Sequence, residues 1–146
     1  MNFEIRPASE ADFPKIIEMF REFAKFEKQE HMMTNSLDKM LNEKDYFHCF
    51  VAQTSNNELA GYVTYFFAYY TWIGKSLYMD DLYVRKKFRA QGIGSALIKS
   101  IINHAKKSEC HKIRWQVSKW NKPAKDFYRK LGADIIDEQN DCHLTL

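Results

Sequence analysis

Cysteine, proline and glycine are all scarce in this 146-residue chain, with three, three and five copies. Three cysteines cannot form a disulfide framework, so we expect a reducing compartment, the cytoplasm. No cysteine or histidine pair has the spacing of a zinc site, so we expect no metal. Without a Pro/Gly/Ser-rich linker, we interpret residues 1–146 as a single domain.

The sequence also lacks a long hydrophobic run. Its longest uncharged stretch, 59–74, is shorter than the roughly 20 apolar residues of a membrane-spanning helix, and the first residues do not resemble a secretory signal. We therefore expect no membrane partner. Hydrophobic residues make up 45% and charged residues 28% of the chain, which excludes wholesale disorder.

Charge is unevenly distributed along the chain. Segment 85–130 holds fourteen Lys or Arg and two acidic residues, a net charge of +12. The remainder has eight basic and seventeen acidic residues, a net charge of −9. One part of the chain is thus suited to a polyanion and the rest to a cation, although lysine-rich solvated helix faces would give the same counts.

Hydrophobic periodicity predicts a mixed α/β fold of seven strands and four helices. The predicted strands are 3–6, 47–53, 59–69, 77–84, 112–117, 133–136 and 142–146, the last two forming a terminal hairpin. The predicted helices run from Phe13 to about Phe26, over 37–41, from Gly92 to Ala105 and from Pro123 to just before Gly132.

A glycine-containing turn connects the fourth of these strands to the third helix. In Arg89-Ala90-Gln91-Gly92-Ile93-Gly94, glycine lets a ligand approach the backbone, and the helix start offers free N–H groups and a positive dipole end. Such a turn binds phosphate. It matches neither a dinucleotide fingerprint nor a P-loop, and an ordinary strand–helix turn remains the alternative.

Two motifs resemble the signature of the GNAT N-acetyltransferase superfamily. They are Arg89-x-x-Gly92-x-Gly94 and Asn121-x-x-Ala124-x-x-Phe127-Tyr128-x-x-x-Gly132-Ala133. Strings such as Lys25-Phe26-Glu27, Trp72-Ile73-Gly74-Lys75 and Trp120-Asn121 resemble the spermidine/spermine (diamine) and thialysine N-acetyltransferase branch. The resemblance covers most of the chain and implies a mixed, mostly antiparallel central sheet flanked by about four helices.

The resemblance implies acetyl-CoA as co-substrate and assigns residues to it. The set implied to contact the cofactor comprises Leu82, Tyr83, Val84, Arg89, Ala90, Gln91, Gly92, Ile93, Gly94, Ser95, Asn121, Lys122, Pro123 and Ala124. Tyr128 matches the family's general acid, which protonates the departing thiolate, although a tyrosine packed in the core is the alternative.

The resemblance also assigns residues to a cationic amine. Asp80 stands where the diamine branch has a glutamate base, one methylene longer, and Asp81 matches an adjacent acid. Only one of two strand neighbours reaches a given face, so the other is expected to be a solvated charge. Glu27 with Phe26 would bind substrate, with an exposed helix-end charge as the alternative. Trp72 and Tyr70 would pack over an ammonium group by cation–π contact, with core burial as the alternative.

Two departures from the branch favour a smaller cation than a long polyamine. Tyr70 replaces an acidic residue two positions before Trp72, and Lys28 interrupts the acids after the first helix. We expect a thialysine-like or lysine-like amino acid, or a short diamine. The resemblance also implies a homodimer.

Other functions remain open for the chain. They are acetylation of a protein lysine or N-terminus, a catalytically silent CoA sensor, and a nucleic-acid-binding module using the basic segment. The aromatic pattern of an RNA-reading sheet is absent, so we expect no nucleic-acid partner.

Overall fold

The computed structural model describes residues 2–138 and 140–146. The chain forms two compact units, 1–115 and 116–146. The single domain expected for 1–146 stays a prediction. In the part of the chain that is described, no helix is long and apolar enough to cross a membrane.

The first unit contains a five-stranded sheet in sequence order. Its strands are β1 (Phe3–Pro7), β2 (His48–Thr54), β3 (Leu59–Tyr70), β4 (Gly74–Val84) and β5 (Ile113–Arg114). The first four pair antiparallel with their neighbours, and β4 with β5 is parallel. The expected mixed, mostly antiparallel sheet is confirmed.

Three helices belong to the same unit: α1 (Phe13–Phe26), α2 (Leu37–Asn42) and α3 (Ile93–Lys107). A capping box between Ser9 and Asp12 starts the turn that leads into α1. Arg6 on β1 donates to both carboxylate oxygens of Asp12, at 2.7 and 2.9 Å, which ties this turn to the sheet.

The helices bury opposite faces of the sheet. On one face, the buried Val51, Tyr62 and Tyr83 pack in a cluster with residues of α1 such as Ile16. Neighbouring strand residues point to the opposite face, where the Tyr65 ring lies 5.3 Å from that of His104 on α3. The predicted alternation therefore places α1 and α3 on different sides of the sheet.

The second unit is built around α4 (Lys122–Lys130). The side chain of Asn121 caps the helix by accepting from Ala124 N at 3.2 Å, and Pro123 occupies its first turn. Gly132 follows the helix with a φ of 90°, a left-handed conformation that suits glycine. The predicted start and end of this helix are confirmed.

The last three predicted strands are wrong or too long. β5 contains only Ile113–Arg114, whereas 112–117 was expected, and neither 133–136 nor 142–146 forms a strand. A two-stranded hairpin without a sheet to extend is marginally stable. In place of strand pairing, the structure has a hydrogen bond between two side chains here: Gln116 Nε2 donates to Asp141 Oδ1 at 2.6 Å.

Candidate active site

The edge of β4 that faces β5 is open over most of its length. β5 pairs with β4 only at Leu77 and Tyr78, whereas β4 continues to Val84. Within 2–138 and 140–146, no other strand covers this part of the edge. Along residues 79–84 of β4, one side of the backbone therefore has no strand partner.

The backbone directions on this edge follow from one hydrogen bond. Arg85 N donates to Ala60 O of β3 at 2.8 Å. In a trans peptide the carbonyl points opposite to the following N–H, so Val84 O faces the open edge. Backbone groups alternate along a strand, so those of Leu82 face the open edge as well, while those of Tyr83 pair with β3.

Tyr83 is consequently placed for packing rather than for backbone contact with a ligand. Its ring stacks on Phe23 of α1 with centroids 5.3 Å apart. Its hydroxyl donates to Glu22 Oε1 at 3.2 Å. Of the three β4 residues expected at the cofactor, the geometry favours Leu82 and Val84.

The loop after β4 has the conformation that a phosphate site needs. Ala90 and Gly92 have φ values of 61° and 84°, and Gly92 is the N-cap of α3. A Cβ on Gly92 would meet no atom within 4 Å, so the approach to its backbone is open. The first N–H groups of α3, including Gly94 and Ser95, have no partner within the helix.

Two residues of this loop have side chains turned toward the protein. Ile93 is buried, so only its backbone is placed to contact a ligand. The Arg89 guanidinium lies 5.0 Å from the Phe26 ring centroid and 5.8 Å from that of Tyr83. Arg89 Nε also donates to Val84 O at 2.8 Å, so this side chain closes the loop.

A β-bulge places the two neighbouring carboxylates. Thr64 pairs with Asp81 and Tyr65 with Met79, which leaves Asp80 as the extra residue. Strict alternation is interrupted there, so opposite directions for Asp80 and Asp81 no longer follow. Asp80 is exposed and Asp81 is half-buried.

Asp81 is held by two groups of β3. The hydroxyl of the fully buried Tyr62 donates to Asp81 Oδ2 at 3.1 Å. Asp81 N donates to Thr64 Oγ1 at 3.0 Å. The carboxylate is therefore fixed in direction, turned toward β3 on the face of the sheet that carries Tyr62 and Thr64.

The surroundings of Asp81 raise its pKa to about 7, chiefly by desolvation and further through the charges of Asp80 and Glu27. The hydrogen bond from Tyr62 opposes this rise by stabilising the carboxylate. Desolvation also raises the pKa of Asp80. A carboxylate with a pKa near 7 is suited to accept a proton at neutral pH.

Two expected substrate residues differ in their placement. Glu27 follows the last residue of α1, and its charge acts on Asp81, so these acids share one region. Trp72 lies in the turn between β3 and β4, and its side chain is 97% exposed. Seven residues, six of them strand, lie between Trp72 and Asp80, so one chain does not bring its side chain to the carboxylates. The alternative of core burial is wrong for Trp72.

The second unit carries the remaining candidates. Tyr128 is buried in α4, with its ring centroid 5.5 Å from that of Phe127. Lys122 forms an ion pair with Asp126 at 2.7 Å. Because the Asn121 amide oxygen caps α4, its contact with a cofactor would use the amide nitrogen.

Three residues of the site region have no counterpart among the sequence candidates: Tyr62, Thr64 and Arg114. The alternation of β3 already placed Tyr62 and Thr64 on one face. Their contacts with Asp81 depend on the bulge at Asp80, and no sequence pattern indicates a bulge there. Arg114 was counted only as part of the basic segment.

Known proteins resemble the chain over most of its length. The model of the acetyltransferase (GNAT) family matches residues 13–133. A thialysine N-epsilon-acetyltransferase of Sus scrofa is 36% identical over 150 residues, covering 95% of this chain and 88% of the relative. The chain belongs to the GNAT acetyltransferase family. It is an N-acetyltransferase, as the resemblance implied.

A second relative and a solved structure also resemble the chain. An L-ornithine N5-acetyltransferase of Arabidopsis thaliana is 27% identical over 113 residues, covering 77% of this chain and 50% of that relative. The fold matches an aminoglycoside acetyltransferase from an uncultured soil sample, with a TM-score of 0.81 at 23% identity, covering 99% of this chain and 96% of the other. The expected GNAT fold is confirmed.

Proposed function

We propose that this GNAT enzyme transfers the acetyl group of acetyl-CoA to a primary amine of a small cationic substrate. The observation that carries the proposal is the position of Asp81. Its carboxylate is held by Tyr62 on one face of the sheet, and Asp80 is its neighbour at the bulge. An ammonium group is attracted to this acidic region, and a carboxylate with a raised pKa accepts its proton.

The open edge and the loop suit the cofactor. Backbone groups of Leu82 and Val84 would bind the amides of the pantetheine arm, and the N-terminus of α3 would bind the pyrophosphate. Acetyl-CoA supplies the acetyl thioester when bound. For the arm to use the Val84 carbonyl, Arg89 must release it or share it, because this carbonyl accepts from Arg89 Nε.

The proton transfers require an acid as well as a base. The amine loses a proton to the Asp80–Asp81 pair, while the leaving sulfur gains one from Tyr128. A phenol with a pKa near 10 donates to a thiolate whose conjugate acid has a pKa near 8.5, judged by cysteine. Tyr128 keeps this role from the family resemblance.

The substrate range remains a thialysine-like amino acid or a short di- or polyamine. Relatives are named for thialysine, for L-ornithine and for spermidine and spermine, all cationic amines. Tyr70 and Lys28 continue to disfavour a long polyamine in this chain.

The test is release of free thiol from acetyl-CoA with thialysine, lysine, putrescine, spermidine and spermine. Turnover of at least one amine supports the proposal, and mass spectrometry of the product identifies the acetylated nitrogen. CoA binding without turnover of any amine would contradict it and favour a protein substrate or a silent sensor. Absence of CoA binding would remove the cofactor assignment.

We also propose that the enzyme is a cytoplasmic homodimer. Trp72 and Tyr69, 97% and 78% exposed, form an apolar surface at the β3–β4 turn that a second copy would cover. Sedimentation analysis of the wild type and of Trp72→Ser tests the dimer. A wild type that sediments as a monomer would contradict it.

A further inference from the structure

The sheet face that carries Asp81 continues past α1 as an open strip. Residues paired across strands lie on the same face, and Thr64 pairs with Asp81. Phe66, two residues beyond Thr64, shares that face and pairs with Tyr78. The Phe66 side chain is 44% exposed, so this part of the face is accessible.

An arginine stands at the far end of this strip. Arg114 of β5 pairs with Tyr78 and therefore lies on the Asp81 face. Its guanidinium covers the ring of Tyr70 at 4.6 Å from the centroid. Arg114 is exposed, and no carboxylate in the described part of the chain lies within 4.0 Å of it as an ion-pair partner.

Stacking on Tyr70 fixes the guanidinium without using its hydrogen-bonding edge. The cation–π contact uses the flat face of the group, while its N–H donors point outward in the plane. The planar fork formed by these N–H donors binds the two oxygens of a carboxylate through two parallel hydrogen bonds. A distal ammonium group, as in a di- or polyamine, is repelled by the same charge.

The spacing of Asp81 and Arg114 fits a linear amino acid. Three residues of strand at about 3.3 Å each and one strand spacing of about 4.8 Å separate their backbones by roughly 11 Å. The side-chain amine of a lysine-like molecule lies roughly 7 Å from its carboxylate, since six bonds of about 1.5 Å zigzag between them. The Arg114 side chain extends along the strand toward Tyr70, four residues beyond Phe66 and away from Asp81, so the two charged groups lie farther apart than these backbones. The difference leaves room for a hydrogen-bonding contact of about 3 Å at each end of the molecule.

We propose that Arg114, oriented by Tyr70, binds the carboxylate of the acceptor and selects amino acids over amines that lack this group. The inference rests on the proposed function, since Asp81 must receive the acceptor's amine. The role of Tyr70 differs from the one expected, since its ring supports the guanidinium of Arg114 and not an ammonium group of the substrate. The acid of the diamine branch is replaced here by a ring that supports a cation.

The test compares carboxylate-bearing substrates with analogues that carry a hydrogen atom or a methyl group in place of the carboxylate. Suitable pairs are 6-aminohexanoate with hexylamine, lysine with cadaverine, and ornithine with putrescine. We expect kcat/KM of the wild type to favour each carboxylate-bearing member by at least about fivefold, mainly through KM, since roughly 1 kcal/mol separates them. Arg114→Gln should bring this ratio close to one and leave kcat/KM for hexylamine unchanged.

Three further variants separate this role from a structural one. Arg114→Lys keeps the charge without the fork and should retain part of the preference. Tyr70→Phe keeps the supporting ring and the preference, whereas Tyr70→Ala should lower it. Lys107→Gln, at the exposed end of α3, removes one positive charge elsewhere and should leave the ratio unchanged.

Failure of this inference is distinguishable from failure of the proposed function. Turnover of amines with a wild-type ratio near one, or an unchanged ratio in Arg114→Gln, overturns the role of Arg114 alone. If Arg114→Gln does not fold, equal ratios in Tyr70→Ala and Tyr70→Phe overturn it. Absence of turnover with all six compounds and with thialysine, spermidine and spermine contradicts the proposed function and this inference together.

Discussion

Asp81 combines four influences that act on its pKa in known directions. Desolvation raises it most, the charges of Asp80 and Glu27 raise it further, and the hydrogen bond from Tyr62 lowers it, with a result of about 7. The last three influences belong to different side chains, so substitutions separate them. The pH dependence of kcat/KM reports the free enzyme and is the matching observable.

We expect kcat/KM to rise with pH through an apparent pKa of about 7. Asp81→Asn should remove this rising limb of the pH profile and lower kcat/KM by about 10²- to 10⁴-fold, the usual contribution of a general base. Tyr62→Phe should move the limb to higher pH, because it removes a bond that stabilises the carboxylate. Asp80→Asn should move it to lower pH, because it removes a neighbouring negative charge.

Steady-state kinetics from pH 5 to 9 check these directions. The substrate amine titrates near 10.4 and gives a separate limb. A limb that stays in place in both Tyr62→Phe and Asp80→Asn would contradict the assignment to Asp81.

At the scale of single residues, the sequence identified Asp80, Asp81 and the loop before α3 as candidates, but it did not predict the contacts that their side chains make. Alternation suggested that Asp80 and Asp81 point apart, and the bulge between Thr64 and Tyr65 interrupts that alternation. The exposed Arg89 of a phosphate motif instead bonds the carbonyl of Val84. Both outcomes depend on contacts between residues distant in sequence, which periodicity does not contain.

The turn before α1 is an element whose stability depends on one buried carboxylate. Asp12 accepts from Ser9 N at 2.8 Å and from Arg6 at 2.7 and 2.9 Å. The hydrogen bond from Arg6 is the largest cause that lowers the pKa of Asp12. A carboxylate with a lowered pKa stabilises the fold above its ordinary pKa near 4, and this contribution is lost as the pH falls below that value.

Asp12→Asn should lower the free energy of unfolding by about 1–3 kcal/mol at pH 7, because the charged hydrogen bonds to Arg6 are lost. The difference from wild type should shrink toward pH 3. Urea denaturation at both pH values measures it. Asp38→Asn, in the exposed first turn of α2, is the matched control and should change little. An equal loss at pH 3 and pH 7 would contradict the charge-based explanation.

Gly92 before α3 and Gly132 after α4 both have a left-handed backbone conformation, so alanine substitution at Gly132 is a matched control for the same substitution at Gly92. Gly92 and Gly132 have φ values of 84° and 90°, and a Cβ on either meets no atom within 4 Å. Alanine at either position should cost about 1–2 kcal/mol of stability through the backbone alone. Only Gly92→Ala should also weaken CoA binding, since its Cβ projects where the phosphate approaches.

Thermal unfolding and calorimetric titration with CoA measure the two effects. Equal CoA affinity in Gly92→Ala and Gly132→Ala would show that the loop before α3 does not bind the cofactor.

Elements with strong periodicity were predicted within a few residues, as α1 and β3 show. β5 and the C-terminal strands were not, because 115–117, 133–136 and 142–146 alternate in sequence without gaining a paired neighbour. Strand formation depends on a partner edge, and composition alone does not supply one. The shortness of β5 is also what leaves β4 open, so the error lies at the functional edge itself.

At the scale of the whole molecule, the uneven distribution of charge along the chain indicates which kinds of ligand its two parts suit. Segment 85–130, with a net charge of +12, contains the loop before α3, and the remainder, at −9, contains Glu27, Asp80 and Asp81. The division assigns a polyanion to the basic segment and a cation to the acidic remainder. This division follows from counting charged residues in the sequence and does not depend on the fold.

CoA affinity should therefore fall with salt, whereas binding of a neutral thioester should not. Raising ionic strength from about 0.1 M to about 1 M shortens the Debye length from about 10 Å to about 3 Å. We expect KM for acetyl-CoA to rise by about three- to tenfold over this range, because the phosphates lose their long-range attraction to the basic segment. Acetylpantetheine, which carries no phosphate, is the matched control and should show a nearly constant KM. If both KM values rise equally, the basic segment does not serve the cofactor, and salt-sensitive binding of RNA or DNA would become the use to examine for it.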